Sequence, residues 1–327
     1  MLESRSGAVT SRPTFAYVVP MRDAIPFLPV CLPALLSAAS RAGAEVVLVD
    51  NGSTDGTRER AAQACSAAVR VIDAPGVTIA GARNRGAEAC SADTLVFVDA
   101  DCEVQPDHLA QVAAAFAASG ADAVGAAYET PADPHWVEDV WCRMHTAADG
   151  PARHLPAGNF AVRRASFAAV GGFDESLTTG EDSELCQRLR QAGARIERHS
   201  RIRVVHHGNP KSLRAFFAKQ SWHGLGMFST TGRREIDKPV AAMTMHAVLV
   251  FVGLGLLFSA SMRSLAGLFV IVAALNAVPV AAVAYRRGRH WRGGPSWWRA
   301  VLLYHLYFAA RLRTAARIFF GRKVQRG

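Results

Sequence analysis

The sequence predicts an α/β fold, a mostly parallel sheet flanked by helices, followed by a C-terminal pair of helices long enough to cross a membrane. Three observations predict it. Short apolar runs at residues 15–19, 45–49, 69–72 and 95–98 alternate with stretches of helical character, the pattern of strands covered on both faces by crossover helices. Residues 240–260 and 265–285 are predominantly apolar and carry no ionised side chain; about 20 such residues cross a hydrocarbon core of roughly 30 Å. Charge divides the chain at the same point. All 27 acidic residues precede Val240, together with 25 of the 37 Lys and Arg, so the front is near neutral and the tail strongly basic. The tail arginines flank apolar runs instead of forming a patch on a globular face, which argues against nucleic acid as a partner.

Each element has a local reason. Residues 1–12 are polar and expected to fray, and no apolar run of signal-peptide length precedes Pro13, so the front of the chain is expected in the cytosol. The first strand, Phe15 to Val19, stops at Pro20, and a helix then runs to about Ala42, closed by Gly43. Because the turn between them reads PMRDAIPF, without Gly-x-Gly-x-x-Gly, a nicotinamide-binding sheet is disfavoured. The second strand ends in DNGSTDGT at 50–57, where glycines allow unusual backbone angles and Ser53, Thr54 or Asp55 can cap a helix to about Ala68. The third strand is Val69 to Ile72, and a helix from Gly81 to Ala89 has Arg83-Asn84-Arg85-Gly86 at its head. Six cysteines without a Cys-x-x-Cys pair read as reduced, mostly buried thiols.

Chemistry concentrates at Leu95 to Cys102, LVFVDADC. Alternation along the strand sends Asp99 and Asp101 to the same side as the chain leaves the sheet. Two carboxylates that close repel unless a cation or donor lies between them, and hard divalent cations take such oxygen ligands. A solvated Asp-rich turn is the alternative. Open α/β sheets bind ligands outside the carboxyl ends of their strands, so Asp50, Asp99 and Asp101 are expected in one crevice. Further along, Gly180-Glu181-Asp182 precedes SELCQRLRQAG, a helix with Leu185 and Leu189 four apart, so Asp182 sits at a helix N-terminus, where capping is a sufficient role. His206 ends a short strand and is either a third metal ligand or a satisfied loop histidine. Trp136 and Trp141 are candidates for an acceptor platform or for core packing.

The order VDNGSTDGT, ARNRG, VFVDAD, GNFAVRRASFAAVGGFDE and GEDSELCQRL resembles the family 2 glycosyltransferases of the GT-A fold, from about Phe15 to Gly226. The resemblance implies an inverting, metal-dependent transfer of one sugar. Asp50 would contact the base of a nucleotide-sugar donor, Arg83 the nucleotide and its phosphates, and Asp99 the ribose or metal. Asp101 would be the principal ligand of Mg2+ or Mn2+, with His206 a possible third, and Pro20 and Asn159 would also bind the donor. Asp182 would be the general base, with Glu181 positioning the acceptor or the base. Gln220-Ser221-Trp222 departs from the Gln-x-x-Arg-Trp of processive synthases, which favours single-sugar transfer over chain extension. A polyprenyl-phosphate glycosyltransferase and a catalytically silent membrane scaffold of the same fold are the alternatives.

The domains are expected at 1–235, cytosolic and catalytic, and 236–327, membrane-bound. By the positive-inside bias the basic cluster at 286–292 is expected in the cytosol, and two spans then leave both the catalytic domain and the basic tail on the cytosolic side of a cytoplasmic membrane. Residues 296–320, with Trp297, Trp298, Tyr304, Tyr307 and three arginines, are expected as a helix lying on anionic lipid. The expected acceptor is a lipid-linked or membrane-associated glycan in polysaccharide or glycolipid assembly.

Overall fold

The computed structural model describes residues 14–146, 148–228, 238–256, 264–290 and 297–320. Four parallel strands form one half of the main sheet: β1 (Phe15–Met21), β2 (Glu45–Asp50), β3 (Val69–Asp73) and β4 (Thr94–Val98). Helices α1 (Leu28–Ala42), α2 (Thr57–Ala62) and α3 (Ile79–Glu88) connect them. After β4 come β5 (Cys102–Val104), α4 (His108–Ser119), β6 (Ala123–Gly125), α5 (Trp136–His145), β7 (Gly150–Pro151), β8 (Asn159–Arg163), α6 (Arg164–Ala169) and α7 (Glu181–Gln191). Then follow β9 (Ile196–Arg198), β10 (Val204–His206), α8 (Leu213–His223), α9 (Lys238–Leu256), α10 (Leu265–His290) and α11 (Trp297–Phe319). The main sheet runs β3-β2-β1-β4-β8-β6-β9-β7, with β8 antiparallel to both β4 and β6.

Burial explains the layers. Tyr17, Val19, Val96, Val98 and Ala161 face one side and pack on α1 and α4; Ala16, Val18, Leu95, Phe97 and Val162 face the other and pack on α3 and α7. The sheet is therefore apolar on both faces, as its near-continuous apolar strands require. All six cysteines are free; Cys65 is exposed, Cys142 half-buried and the others buried.

Local boundaries differ from expectation where backbone bonding decides. β1 continues through Pro20 to Met21, because Pro20 follows the last β4 partner, Val18, and only the β2 side of the ladder goes on. The second helix ends at Ala62, well short of Ala68, because Ser66 pairs with Val69 to start β3. α3 begins two residues early, at Ile79, where the Thr78 hydroxyl accepts from the Gly81 N–H.

At the C-terminal end, residues 267–285 of α10 are long and apolar enough to cross a membrane, whereas α9 offers a shorter apolar stretch, 241–253. The rest of the expected first span and the connector to residue 263 lie outside the described residues, as do residues 291–296. α11 packs one face against the rest of the protein. Its Ala300, Val301, Leu303, Tyr304 and Phe308 are buried in a third core with Val137 of α5, Phe216 of α8, Met243 of α9 and Val283 of α10. Tyr304 and Tyr307 of this helix stand 5.8 and 5.6 Å from the Trp141 ring. Trp297 and Trp298 remain 54% exposed.

Candidate active site

The site grows from the end of β4. The chain leaves the sheet at Val98, turns with the Cys102 N–H on the Asp99 carbonyl, and enters β5. β5 pairs antiparallel with β10, opposing Cys102 to His206. That two-stranded ladder carries His206 across about a hundred residues of sequence to the aspartates, its Nε2 3.6 Å from Asp101 Oδ2. Candidate ligand atoms of Asp99, Asp101, Cys102 and His206 all lie within 4.8 Å of one another.

The donor set fits a hard divalent cation. Burial, and then the Asp101 charge, push the Cys102 thiol well up, so the two carboxylates and the imidazole are the hard donors of the set. Burial outweighs the Asp101 charge at His206 and holds it below its ordinary value, leaving a neutral imidazole with a free lone pair. The Nδ1 of His206 is buried without a partner among the described residues. Two glycines shape the cradle. A Cβ at Gly208 would overlap the Asp101 carboxylate, and one at Gly158 would overlap Asp99 and the Tyr128 hydroxyl.

Arg83 is the electrostatic hub. It is 2% exposed and donates at 2.6 Å to both Asp99 Oδ1 and Glu181 Oε1. Burial opposes its charge, but the two carboxylates more than offset that, so its pKa is raised. The helix-head arginine of the sequence is thus an interior ion-pair centre linking α3, β4 and α7. Burial and neighbouring Asp182 raise Glu181 against the pull of Arg83. The Arg83 pairing makes Glu181 a holder of Arg83 in this geometry.

Asp182 stands in the first turn of α7, whose N-cap Gly180 has φ 85°. Its Oδ1 accepts from the Ser183 N–H, and its Oδ2 lies 3.2 Å from His154 Nε2. Burial works to raise its pKa, but His154, Arg83 and that hydrogen bond hold it well below the usual carboxylate range. Pro20, Arg83, Asp99, Asp101, Asp182 and His206 all line one cavity of about 930 Å³.

Two expected residues behave differently. Asp50 is 4% exposed; its Oδ2 accepts from the Gly52 and Ser53 N–H groups, while Oδ1 has no partner among the described residues. It is a turn former whose second oxygen is buried, next in the chain to Asn51. Asn159 is a correction. It shares its face of β8 with Ala161, toward α4, and its amide donates to the Ile202 carbonyl at 2.9 Å. Its Oδ1 meets His108 Nε2 at 3.2 Å, and His108 Nδ1 meets the Tyr17 hydroxyl at 2.9 Å. Burial pushes His108 down to about 4, so this is a neutral interior network. Alternation along β8 therefore turns Asn159 away from the cavity.

Sequence reasoning missed His154 and Tyr128. Tyr128 accepts from the Gly158 N–H at 3.0 Å and holds its ring 4.7 Å from that of His206. Neither residue sits in a periodic run, so only the lone aromatic after β6 and the lone histidine in ARHLPAG were there to be noticed. Trp141 does double duty, lining the cavity while packing on Phe216; Trp136 lies under the Arg299 guanidinium.

Comparisons with known proteins agree with this architecture. The glycosyl transferase family 2 model matches residues 17–167, and a model described as the N-terminal domain of galactosyltransferase matches residues 143–210. The succinoglycan biosynthesis protein ExoA of Rhizobium meliloti is 29% identical over 214 residues, 61% of this chain and 65% of that protein. The pre-mycofactocin glycosyltransferase of Mycobacterium tuberculosis is 33% identical over 108 residues, 32% of this chain and 23% of that protein. The chain thus spans less than two thirds of the length of either relative. A mannosyltransferase of Pyrobaculum calidifontis, solved with GDP-Man and Mn2+, superposes with a TM-score of 0.60 at 19% identity, covering 96% of this chain and 89% of that one. Residues 17–167, just under half of the chain, thus resemble the family 2 glycosyltransferases, and the mixed sheet that carries them has a GT-A fold.

Proposed function

We propose that the protein is an inverting, metal-dependent glycosyltransferase that moves one sugar from a nucleotide-sugar donor to a hydroxyl of a lipid-linked or membrane-proximal glycan. The observation that carries this reading is the convergence of Asp99, Asp101, His206, Arg83 and Asp182 on a single cavity. Asp101, His206 and Asp99 would hold a Mg2+ or Mn2+ ion, which when bound would supply charge neutralisation for the departing diphosphate. Arg83 keeps Asp99 in place and adds a buried positive charge to the same region. The unpartnered, buried acceptor oxygen of Asp50 suits an N–H of the nucleobase.

Asp182, ionised and at the cavity wall, takes the proton of the acceptor hydroxyl as its oxygen attacks the anomeric carbon. The bond from that carbon to the diphosphate oxygen breaks on the opposite face, so the configuration inverts. Because a carboxylate held at so low a pKa is a weak base, proton transfer belongs late, after attack has acidified the hydroxyl. The succinoglycan relative supports a role in polysaccharide assembly. The membrane-length helix at 267–285 supports catalysis on the cytosolic face of a membrane, with the domains meeting near residue 235.

The test is a donor screen in native membranes, reading nucleoside diphosphate release from a panel of nucleotide sugars with and without Mn2+. Metal-dependent release with one donor is expected. No binding of any nucleoside diphosphate would point to the silent scaffold, and turnover with polyprenyl phosphate alone to the phosphate-acceptor enzyme.

A further inference from the structure

α11 lies beyond the stretches that the two family models match, yet it forms a wall of a second cavity of about 850 Å³. This cavity adjoins the first: Arg22, Ile79, Lys219 and Trp222 line both. Its floor is the carboxyl end of β1 and β2, at Met21 and Asn51; its α11 wall is Arg313 and Arg317. Four residues apart, these arginines share one face of the helix.

The joint that holds them is built. Thr314, between the two, is 1% exposed and donates its hydroxyl to the Ser221 carbonyl at 2.7 Å. A Cβ at Gly224 would come within 2.9 Å of Thr314, so the end of α8 packs directly on α11. Arg311 donates to the His223 carbonyl at 2.6 Å.

The two walls are chemically opposite. The floor offers an unsatisfied acceptor: Asn51 is 7% exposed with an Oδ1 unpartnered among the described residues, and the adjacent Asp50, which does not line the cavity, carries a second buried Oδ1 without a partner among them. The far wall and rim offer cations, Arg313, Arg317, Lys219 and Arg22, against one lining carboxylate, Asp23. Lys219 donates to the Gly208 carbonyl and Arg313 lies over Phe217; among the described residues neither has an acidic partner, and Arg317 has none. A ligand with donors at one end and negative charge further along matches this pattern. That is a nucleoside diphosphate, base toward Asn51 and phosphates toward the cations and the aspartate cluster.

We propose that Arg313 and Arg317 are donor-binding residues, so that α11, docked by way of α8, completes the nucleotide half of the site. This rests on the reading of the protein as a nucleotide-sugar enzyme. The consequence is that donor affinity depends on the helix that follows the apolar α10.

The test uses the full chain in nanodiscs with Mn2+. Equilibrium binding is measured for UDP and GDP, for the matching nucleosides, and for a polyprenyl diphosphate. Charge-assisted bonds of this kind correspond to about tenfold or more in affinity, so R313Q/R317Q is expected to weaken the diphosphate that wild type binds by at least that factor. Affinity for the nucleoside should hardly move, and R313K/R317K should restore part of the loss. Neither guanidinium makes a hydrogen bond among the described residues, so the melting temperature should stay near wild type, and single R317Q gives the same reading with less perturbation. Unchanged diphosphate affinity in a variant whose wild type binds it overturns the inference alone. A loss confined to polyprenyl diphosphate also overturns it, assigning the arginines to a lipid headgroup. Absence of diphosphate binding in wild type instead removes the functional reading beneath it.

Discussion

His154 Nε2 lies 3.2 Å from Asp182 Oδ2, joining a half-exposed histidine of the loop before β8 to the first turn of α7. The pair has a signed pH dependence. Desolvation at the site works to lower the His154 pKa, but the charge of Asp182 3.2 Å away, helped by Glu181 and opposed by Arg198, more than offsets it, and the net shift is upward from 6.5. Asp182 is the stronger base when His154 is neutral. Transfer is therefore expected to rise with pH through a titration above 6.5. In His154→Gln, where no imidazolium restrains Asp182, the acid limb of the kcat profile should move to lower pH. A limb that stays in place would detach His154 from catalysis.

Asp182→Asn keeps shape while removing the base. Donor affinity should remain within about twofold, whereas transfer falls roughly 10²- to 10⁴-fold. Calorimetric donor binding alongside product formation separates the two; full turnover in the variant would reassign the base.

Gly208→Ala tests the metal cradle without removing any proposed ligand. The new Cβ overlaps the Asp101 carboxylate, so Mn2+ affinity is expected to drop about 10- to 100-fold, the scale seen when ligand positioning is lost. Asp101→Ala should abolish metal-dependent diphosphate release. Retained Mn2+ titration in both would remove the cluster from the mechanism.

Asn159→Ala probes the interior network. Loss of its contacts to His108 and the Ile202 carbonyl leaves buried polar groups unpaired, at a cost of about 1–3 kcal/mol. Denaturant unfolding should register that loss while the donor Kd holds. A weaker Kd at unchanged stability would return Asn159 to the binding site.

Local pattern made much of this legible. Apolar runs bounded by polar sequence located β1 to β4, and alternation with the strand-end rule brought Asp99 and Asp101 to the crevice. The Gly180 to Asp182 turn before an amphipathic run placed Asp182 at a helix start. Less visible was anything decided by the facing of a single side chain. Asn159 was expected at the donor only through the family resemblance; the parity of β8, set by its pairing with β4, aimed it at His108. His154 belongs to no periodic stretch, so nothing local distinguishes it from a surface histidine.

The sequence by itself determined the α/β class, the strand ends that carry the carboxylates and the apolar C-terminal segment, because backbone periodicity and side-chain alternation are local properties. Tertiary structure alone decided that Arg83 sits between Asp99 and Glu181, that His154 meets Asp182, and that α11 docks on α8 to line a second cavity. Those distances arise from the packing of whole helices and sheet faces, a constraint between residues far apart in the chain that no local pattern encodes.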